Sequence, residues 1–235
     1  MSTRFIRKEL KYLISFAQKE KFVALLQDEI VYDEYCPNGR AYHISNIYFD
    51  TDQYDVIRHS ISKPKFKSKL RIRRYENHTQ FLELKNKFRG TVYKKRVEIT
   101  LEEQALFIAK LELPTRDDYQ SISALKDMQV YLDRFAPQLK HILLDYKRLA
   151  YVTTTIIPPT RLTFDHDLQV YDDTSQTWKL LLPPGMLLFE IKCSGALPLS
   201  IARALNQLEI YPTSFSKYGT YYKLIKTPKG DQTNV

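Results

Sequence analysis

Basic residues occupy every second position of one short segment, which is a spacing that could build a phosphate-binding surface. In the segment 65–75, KFKSKLRIRRY, these residues are Lys65, Lys67, Lys69, Arg71 and Arg73. Successive side chains of a strand point to opposite faces, so the spacing predicts a strand with one cationic face and one mostly apolar face. Water or a polyanion would relieve the repulsion between these charges. A solvated edge strand, whose lysines prevent aggregation, accounts for this one segment equally well.

The same alternation recurs along the chain, with charged residues sharing one face of each predicted strand. The recurring groups are Glu9/Lys11, Glu83/Lys85, Lys94/Arg96, Tyr146/Arg148, Arg161/Asp165 and Glu190/Lys192. An ordinary sandwich needs polar outer residues but not this density of Arg, Lys and Glu on every strand. A barrel with its charged faces inward would form a wet, cation-lined tunnel. Such a tunnel suits a linear polyphosphate, because basic groups bind phosphate oxygens and carboxylates hold a bridging divalent metal.

The elements that must position these side chains follow from hydrophobic periodicity. Strands are predicted at 5–14, 41–49, 65–75, 79–87, 91–100, 142–152, 161–171 and 186–193. Helical spacing predicts helices at 16–30, 101–111, 121–135 and 199–208, the first with Ser15 as its N-cap, and an amphipathic stretch closes the domain at 214–226. We predict one domain, residues 1–225, and a polar, disordered tail at 226–235.

Composition restricts the class of protein and its partners. The 235 residues contain 36 Lys and Arg against 27 Asp and Glu, a net charge of +9 that favours an anionic partner. Two cysteines fit a reducing cytoplasm, and we expect neither a signal peptide nor a membrane-spanning segment. Six glycines leave no glycine-rich nucleotide loop, so side chains must hold any phosphates.

Other functions find less support in the sequence. A single pair of charged residues at positions i and i+2 of a strand is more often part of a solvated row of salt bridges than a functional site. The five histidines have no zinc-ligand spacing, and no serine or cysteine lies in a nucleophile elbow. The aromatic residues form no RNA-stacking motif, so no nucleic-acid partner is expected.

Nine short motifs occur in an order that resembles a known family. They are RxExKY from Arg7, IYFDT from Ile47, KxRxR from Lys69, LELK from Leu82, KxR from Lys94, YxR from Tyr146, RxTxD from Arg161, FEIK from Phe189 and SKY from Ser216. Together they resemble the VTC domain, the polyphosphate polymerase domain of vacuolar transporter chaperone complexes and its bacterial relatives. That family is a branch of the triphosphate tunnel metalloenzymes, which also include the CYTH proteins.

The resemblance implies an α+β fold, an eight-stranded antiparallel barrel with helices packed outside. It implies transfer of the ATP γ-phosphate onto a growing polyphosphate chain, with Mn²⁺ or Mg²⁺. Residues implied to be catalytic are Lys11, Arg71, Arg73, Lys85, Lys94, Arg96, Tyr146, Arg148 and Lys217. Residues implied to bind substrate are Arg7, Lys69, Arg161, Lys192 and Ser216, and the implied metal ligand is Glu190.

One departure separates the two branches of the resemblance. CYTH triphosphatases open with ExExK, whereas this chain has Arg7 at the first carboxylate position, which is similar to the polymerase branch. A CYTH-type hydrolase of inorganic or thiamine triphosphate remains an alternative, as does a non-catalytic module that binds polyphosphate or inositol phosphates. A separate membrane protein is a possible partner, since related complexes contain membrane segments.

Overall fold

The computed structural model describes residues 7–89, 91–135, 139–173 and 175–226, although the side chains of Arg7, Leu139 and Lys226 are outside the described part. Ten strands lie in these ranges: β1 Arg7–Ser15, β2 Ile30–Tyr32, β3 Tyr42–Thr51, β4 Phe66–Tyr75, β5 Gln80–Phe88, β6 Thr91–Glu98, β7 Leu139–Thr153, β8 Arg161–Asp172, β9 Thr177–Leu180 and β10 Met186–Ser194. The helices there are α1 Phe16–Leu25, α2 Asp55–Ile61, α3 Leu101–Lys110, α4 Tyr119–Phe135, α5 Leu199–Gln207 and α6 Lys217–Lys226.

The chain divides into two compact units. The first comprises Met1–His43, Tyr146–Gln169 and Trp178–Thr220, and the second comprises Ile44–Asp145, Val170–Thr177 and Tyr221–Val235. The prediction of a single domain at 1–225 stays a prediction, and the predicted disordered tail lies almost entirely outside the described residues. No helix of the described ranges is long and apolar enough to cross a membrane.

The first unit is built on antiparallel strands in the order β1-β10-β8-β7, with β2 on β7 and β9 on β8. Its register places Lys11 opposite Glu190, and Glu190 opposite Thr163. The core lies on the other strand face, where the rings of Phe164 and Phe189 stack with centroids 4.5 Å apart. The pattern of one charged and one apolar face is therefore confirmed in this unit.

Helix α1 begins where the sequence predicts and ends earlier. Ser15 accepts a hydrogen bond from the Gln18 backbone, and the Gln18 side chain accepts one from the Ser15 N–H, which completes a capping box. The predicted extension to residue 30 is wrong, because Ile30 begins β2 and pairs with Thr153 of β7. Strand β9 was also not predicted.

The second unit continues the antiparallel pattern in the order β7-β3-β4-β5-β6. Strands β3 and β7 have residues in both units. The main strand order contains eight strands, which is the number that the resemblance implies: β1, β10, β8, β7, β3, β4, β5 and β6. On β5, Leu82 and Leu84 pack into a hydrophobic core with Phe107 of α3 and Met128 of α4, as the alternation predicts. Glu83 between them points to the charged face.

Helix α2 is an element that the sequence analysis missed. Its first turn is fixed by the buried Asp50, whose carboxylate accepts hydrogen bonds from the N–H groups of Val56 and Ile57 at 2.8 and 3.0 Å. A carboxylate at a helix N-terminus is favourable because the first N–H groups lack intrahelical partners. Asp50, the aspartate of the IYFDT motif, thus has a structural role at the beginning of α2.

Candidate functional site

Each unit contains one cluster of charged side chains on its strand face. The first-unit cluster consists of Glu9, Lys11, Tyr146, Arg148, Asp165, Glu190, Lys192 and Lys217. The second-unit cluster consists of Tyr48, Lys69, Arg71, Arg73, Glu83, Lys85, Lys94 and Arg96. Most of the residues that the family resemblance implies therefore fall into two groups.

The most buried ion pair of the first-unit cluster involves Asp165. Arg148 donates from Nε to Oδ1 at 2.6 Å and from one terminal nitrogen to Oδ2 at 2.8 Å. Lys217 Nζ lies 2.6 Å from the same Oδ2. Two parallel bonds from one guanidinium and a third from an ammonium satisfy this carboxylate within the protein.

Glu190 has more cationic neighbours at longer distances. Its carboxylate oxygens lie 3.3 Å from Lys11 Nζ, 3.5 Å from Lys192 Nζ, 3.7 Å from Lys217 Nζ and 3.8 Å from an Arg148 nitrogen. Charge-assisted hydrogen bonds are typically about 2.7–2.9 Å. Glu190 is thus neutralised by its surroundings without a short bond to any one of these cations.

Both buried carboxylates of this cluster are held in the ionised form. Burial alone would raise the pKa of Glu190, but Lys217, Lys192 and Lys11 outweigh it and hold the pKa well below its usual value. Burial acts on Asp165 in the same way, and Arg148 with Lys217 lowers its pKa. Neither group is a good proton acceptor in this setting.

The chain before α6 positions Lys217 and contacts Lys11. Lys11 Nζ donates to the backbone oxygen of Phe215 at 3.0 Å, and its own carbonyl accepts from Thr213 N–H at 2.7 Å. The Ser216 hydroxyl accepts a hydrogen bond from Gly219 N–H at 3.2 Å, so Ser216 caps the helix at this point.

Tyr146 places its ring next to two of these cations. Lys217 Nζ lies 4.6 Å from the ring centroid, and the Arg148 guanidinium carbon lies 5.4 Å from it. Arg161 of β8 is engaged differently, since it donates to Asp33 at 2.7 Å. The sequence analysis missed Asp33, which lies 128 residues away and follows no motif.

The second-unit cluster is centred on Glu83. Arg71 donates to Oε2 from Nε at 2.8 Å and from a terminal nitrogen at 2.6 Å, and Lys94 pairs with Oε1. The strand register explains the Arg71 contact, because Glu83 of β5 is opposite Arg71 of β4, whereas Lys94 of β6 is opposite Lys85 and reaches Glu83 diagonally. One buried carboxylate thus holds cations from both neighbouring strands.

Other predicted cations of this unit have neutral partners or basic neighbours. Arg73 donates to Asn46 Oδ1 at 3.0 Å, and the Arg96 guanidinium carbon lies 4.3 Å from the Phe81 ring centroid. Lys85 of β5 is opposite Lys69 of β4 on one side and Lys94 of β6 on the other.

The cations lower the pKa values of two acidic groups in this cluster. Burial would raise the pKa of Glu83, but Arg71, Arg73 and Lys94 together lower it to about 2. Burial also opposes ionisation of Tyr48, yet Arg71, Arg73 and Lys69 lower its pKa to about 8. Arg71 donates to the Tyr48 hydroxyl at 3.0 Å, which stabilises the phenolate further.

Several residues in the two clusters or bonded to them were missed as site residues, although some had a signal. Asp165 ends the RxTxD motif, and Asn46 and Tyr48 alternate along the strand that ends in IYFDT. Glu83 lies within LELK, but its role was left open. The side chain of Arg7 is outside the described part of the structure, so its predicted role stays a prediction.

The carboxylates of the first-unit cluster suit a metal ion that takes its other ligands from water and from a phosphate substrate. Within the described ranges, no group of three or more His, Cys, Asp or Glu side chains could hold a metal ion. Magnesium commonly takes one or two carboxylates and completes its coordination with water and phosphate oxygens. Glu190 fits that requirement because it is ionised and only loosely paired, and carboxylates also suit manganese.

Two solved structures have the same fold as this chain. The Bacillus halodurans protein bh2851, described as a "putative adenylate cyclase", is 20% identical with a TM-score of 0.52, over 90% of this chain and 93% of that one. The Hippeastrum protein HpAC1, described as a "putative adenylyl cyclase" with a dominant triphosphatase activity, is 16% identical with a TM-score of 0.54, over 94% and 97%. No curated protein matches the chain.

These structural likenesses confirm the predicted triphosphate tunnel fold with its antiparallel strands. The family model described as "VTC domain" matches residues 6–226, which is nearly the full length of the sequence. The chain belongs to the VTC domain family.

Proposed function

We propose that this protein is an ATP-dependent polyphosphate polymerase, which transfers the γ-phosphate of ATP to the end of an inorganic polyphosphate chain. Membership of the VTC domain family supports a reaction on phosphate chains. The observation that favours transfer to phosphate concerns the buried carboxylates. Glu83, Asp165 and Glu190 all have lowered pKa values beside basic side chains.

The protonation state of the acceptor separates the polymerase from the hydrolase. Attack by water is helped by a group that removes a proton, and an effective general base has a pKa near the working pH. The three buried carboxylates are far below that range. The terminal phosphate of a chain is already ionised at neutral pH, so its oxygen can attack without losing a proton to the protein.

The proposed step conserves the number of phosphates. An oxygen of the terminal phosphate forms a bond to the γ-phosphorus of ATP, and the bond from that phosphorus to the β,γ-bridging oxygen breaks. ADP leaves with the bonding electron pair, and the chain is longer by one phosphate. We assign binding of the phosphate oxygens to the basic groups of both clusters, since positioning and charge neutralisation dominate this chemistry.

Glu190 is the residue that we assign to a bound Mn²⁺ or Mg²⁺. Such an ion offsets the charge of the phosphate oxygens that it contacts. The lysines around Glu190 keep its carboxylate ionised, which is the form that would bind a metal. We further propose that the protein acts in the cytoplasm on ATP and polyphosphate, with a membrane protein as a possible partner for the product.

The main alternative is a triphosphate hydrolase. Its support is the described triphosphatase activity of HpAC1, whose structure has the same fold as this chain. A hydrolase would release one free phosphate for every ADP or shortened substrate and would form no chains. A non-catalytic binding module would bind the same anions and release neither product.

The product assay separates these functions. Purified protein is incubated with ATP, with and without Mn²⁺, and ADP, free phosphate and stained polyphosphate are measured from the same samples. We expect chains whose phosphate content accounts for the ADP formed, only when the metal is present. Free phosphate equal to ADP would establish the hydrolase, and the absence of both products would favour the binding module.

A further inference from the structure

A row of basic residues continues beyond the second-unit cluster along β4 and β5. Lys67 is directly opposite Lys87, and the Arg89 N–H donates to the Lys65 carbonyl oxygen at 2.8 Å, which brings Lys65 and Arg89 together at the end of the two strands. We name the four residues Lys65, Lys67, Lys87 and Arg89 the lysine ladder. None of them belongs to the residues that the family resemblance implies.

Three residues of the lysine ladder, Lys65, Lys67 and Lys87, share a strand face with the second-unit cluster. Lys65 and Lys67 are separated from Lys69 and Arg71 by multiples of two residues, and Lys87 is related in the same way to Lys85 and Glu83. Side chains two residues apart share a face and are about 7 Å apart along the strand. The ladder therefore adds two basic levels to the row that begins with the cluster.

Repulsion between the positive charges of the ladder destabilises the fold when no anion is bound. Like charges directly opposite each other destabilise an antiparallel pair. Next to the ladder, Glu83 pairs with Arg71 and Lys94, whereas Lys67 and Lys87 make no ion pair in the described part of the chain. Lys67 is partly buried and donates to the Ser60 carbonyl oxygen at 3.1 Å, so it is held near its like-charged neighbour.

The pKa of Lys67 reflects the same conflict. Burial is the largest cause that lowers this pKa, and the positive charges of Lys87, Lys85 and Lys63 lower it further. A fully solvated lysine face would spread these charges into water. This arrangement instead concentrates positive charge where a polyanion could neutralise it.

We propose that the lysine ladder is a binding site for the linear polyphosphate chain, occupied by phosphates beyond those that the second-unit cluster contacts. The inference rests on the proposed function, because it extends the same substrate along the same strand face. A ligand that follows two further levels of paired cations must be extended and charged along its length. Inorganic polyphosphate has that chemistry, and a single triphosphate is too short to need the added levels.

The position of the exposed aromatic residues argues against a membrane surface. Phe66 and Phe88 are opposite each other in the register and lie on the strand face away from the ladder. Surfaces that bind anionic lipid generally present apolar and basic groups on the same side. Lys65, Lys67 and Lys87 alternate away from these two rings, whereas the Arg89 guanidinium carbon lies 5.3 Å from the Phe88 ring centroid.

The test compares two probes on two variants. The ladder variant is Lys67→Gln/Lys87→Gln, and the control is Lys110→Gln/Lys126→Gln, which removes two exposed helix lysines from the same unit. Affinities for tripolyphosphate and for a long linear polyphosphate are measured at several salt concentrations, with binding to anionic lipid vesicles as a third measurement.

We expect the ladder variant to bind the long chain about tenfold more weakly, with a salt dependence reduced by about two ions. The control should bind it as the wild type does, and tripolyphosphate should bind all three proteins alike. The ladder variant should also unfold at the same or a higher temperature, since a repulsive pair has been removed.

The other outcomes overturn the inference in distinguishable ways. If the wild type binds neither phosphate probe, the proposed function fails together with the ladder. If the wild type binds both probes and the ladder variant keeps the same ratio of affinities, the ladder alone fails. If the variant loses vesicle binding while its polyphosphate affinity is unchanged, the ladder is a lipid-binding surface instead.

Discussion

Lys217, the first residue of α6, lies with its Nζ 2.6 Å from Oδ2 of Asp165 on β8, and both side chains are buried. The same carboxylate receives two hydrogen bonds from Arg148. Burial opposes a charged lysine, but Asp165 and Glu190 outweigh it and raise the pKa of Lys217. The beginning of α6 is thus tied to the strands of the first unit by an ion pair that remains charged throughout the physiological range.

Replacing Lys217 should destabilise the protein. Removing one partner of a buried ion pair leaves an uncompensated charge and typically costs about 3 kcal/mol or more. Lys217→Met should therefore lower the free energy of unfolding by about 3 kcal/mol, as measured by urea denaturation. Lys223→Met, at an exposed position of the same helix, should change it by less than about 0.5 kcal/mol. Equal effects of the two substitutions would show that the buried pair is not important for stability.

Adjacent lysines of β6 provide a matched test of the second-unit cluster. Lys94 pairs with the buried Glu83, whereas Lys95 points to the opposite face and pairs with Asp127 at 2.8 Å. We expect Lys94→Ala to reduce the rate of chain synthesis about 100-fold, because an electrostatic contact to the transferring phosphates is lost. Lys95→Ala should retain the wild-type rate. A similar loss in both variants would mean that the cluster has no special part in the reaction.

The lowered pKa of Tyr48 predicts a loss of phosphate binding at alkaline pH. Tyr48 is neutral below about pH 8 and becomes a phenolate above it, which offsets the charge of Arg71. The affinity for triphosphate should therefore fall as the pH rises through about 8 in the wild type. Tyr48→Phe should keep its affinity to higher pH.

Ultraviolet absorbance gives an independent measurement of the same group. Phenolate absorbs at longer wavelength than phenol, so the wild type should show one more titrating tyrosine near pH 8 than Tyr48→Phe does. Identical titration curves for the two proteins would contradict the assigned pKa. Binding that weakens equally with pH in both would exclude Tyr48 as the cause.

Glu83 should contribute stability that is lost in acid. Its pKa is about 2 in the folded protein and 4.5 in the reference state, so the contribution is complete above pH 4.5 and disappears as the pH falls towards 2. The shift corresponds to about 3 kcal/mol. The difference in unfolding free energy between wild type and Glu83→Gln should shrink by about that amount between pH 4.5 and 2.

An exposed carboxylate on the neighbouring strand controls for general acid effects. Glu98→Gln changes the net charge as Glu83→Gln does, but its side chain is exposed on β6. The stability of Glu98→Gln should follow that of the wild type over the same pH range. A constant difference between wild type and Glu83→Gln at every pH would contradict the predicted ion pairs.

Local alternation explains why the sequence predicted the two strand faces. Leu82, Glu83 and Leu84 differ in polarity at successive positions, and the strand geometry alone sends Glu83 away from the core. The cation-rich face could therefore be identified before any pairing was known. The family resemblance then supplied the fold and the family, which the comparisons confirm.

Pairing between distant segments explains what the sequence did not reveal. Asp33 and Arg161 form their ion pair across 128 residues, and neither position marks the other. Strand β2 has three residues and depends on β7, so the helical spacing that extends through Ile30 was misleading. Helix α2 depends on the carboxylate of Asp50 for its first turn, which is a contact that periodicity does not encode.

The most direct test follows the γ-phosphate itself. Wild-type protein is supplied with Mn²⁺, a short polyphosphate primer and ATP labelled in its γ-phosphate, and the label is divided between chains and free phosphate during the first turnovers. If the protein is a polymerase, nearly all transferred label enters chains, and one ADP forms for each labelled phosphate that is added. Label that appears only as free phosphate, with the primer unchanged, would contradict the proposal and identify a hydrolase.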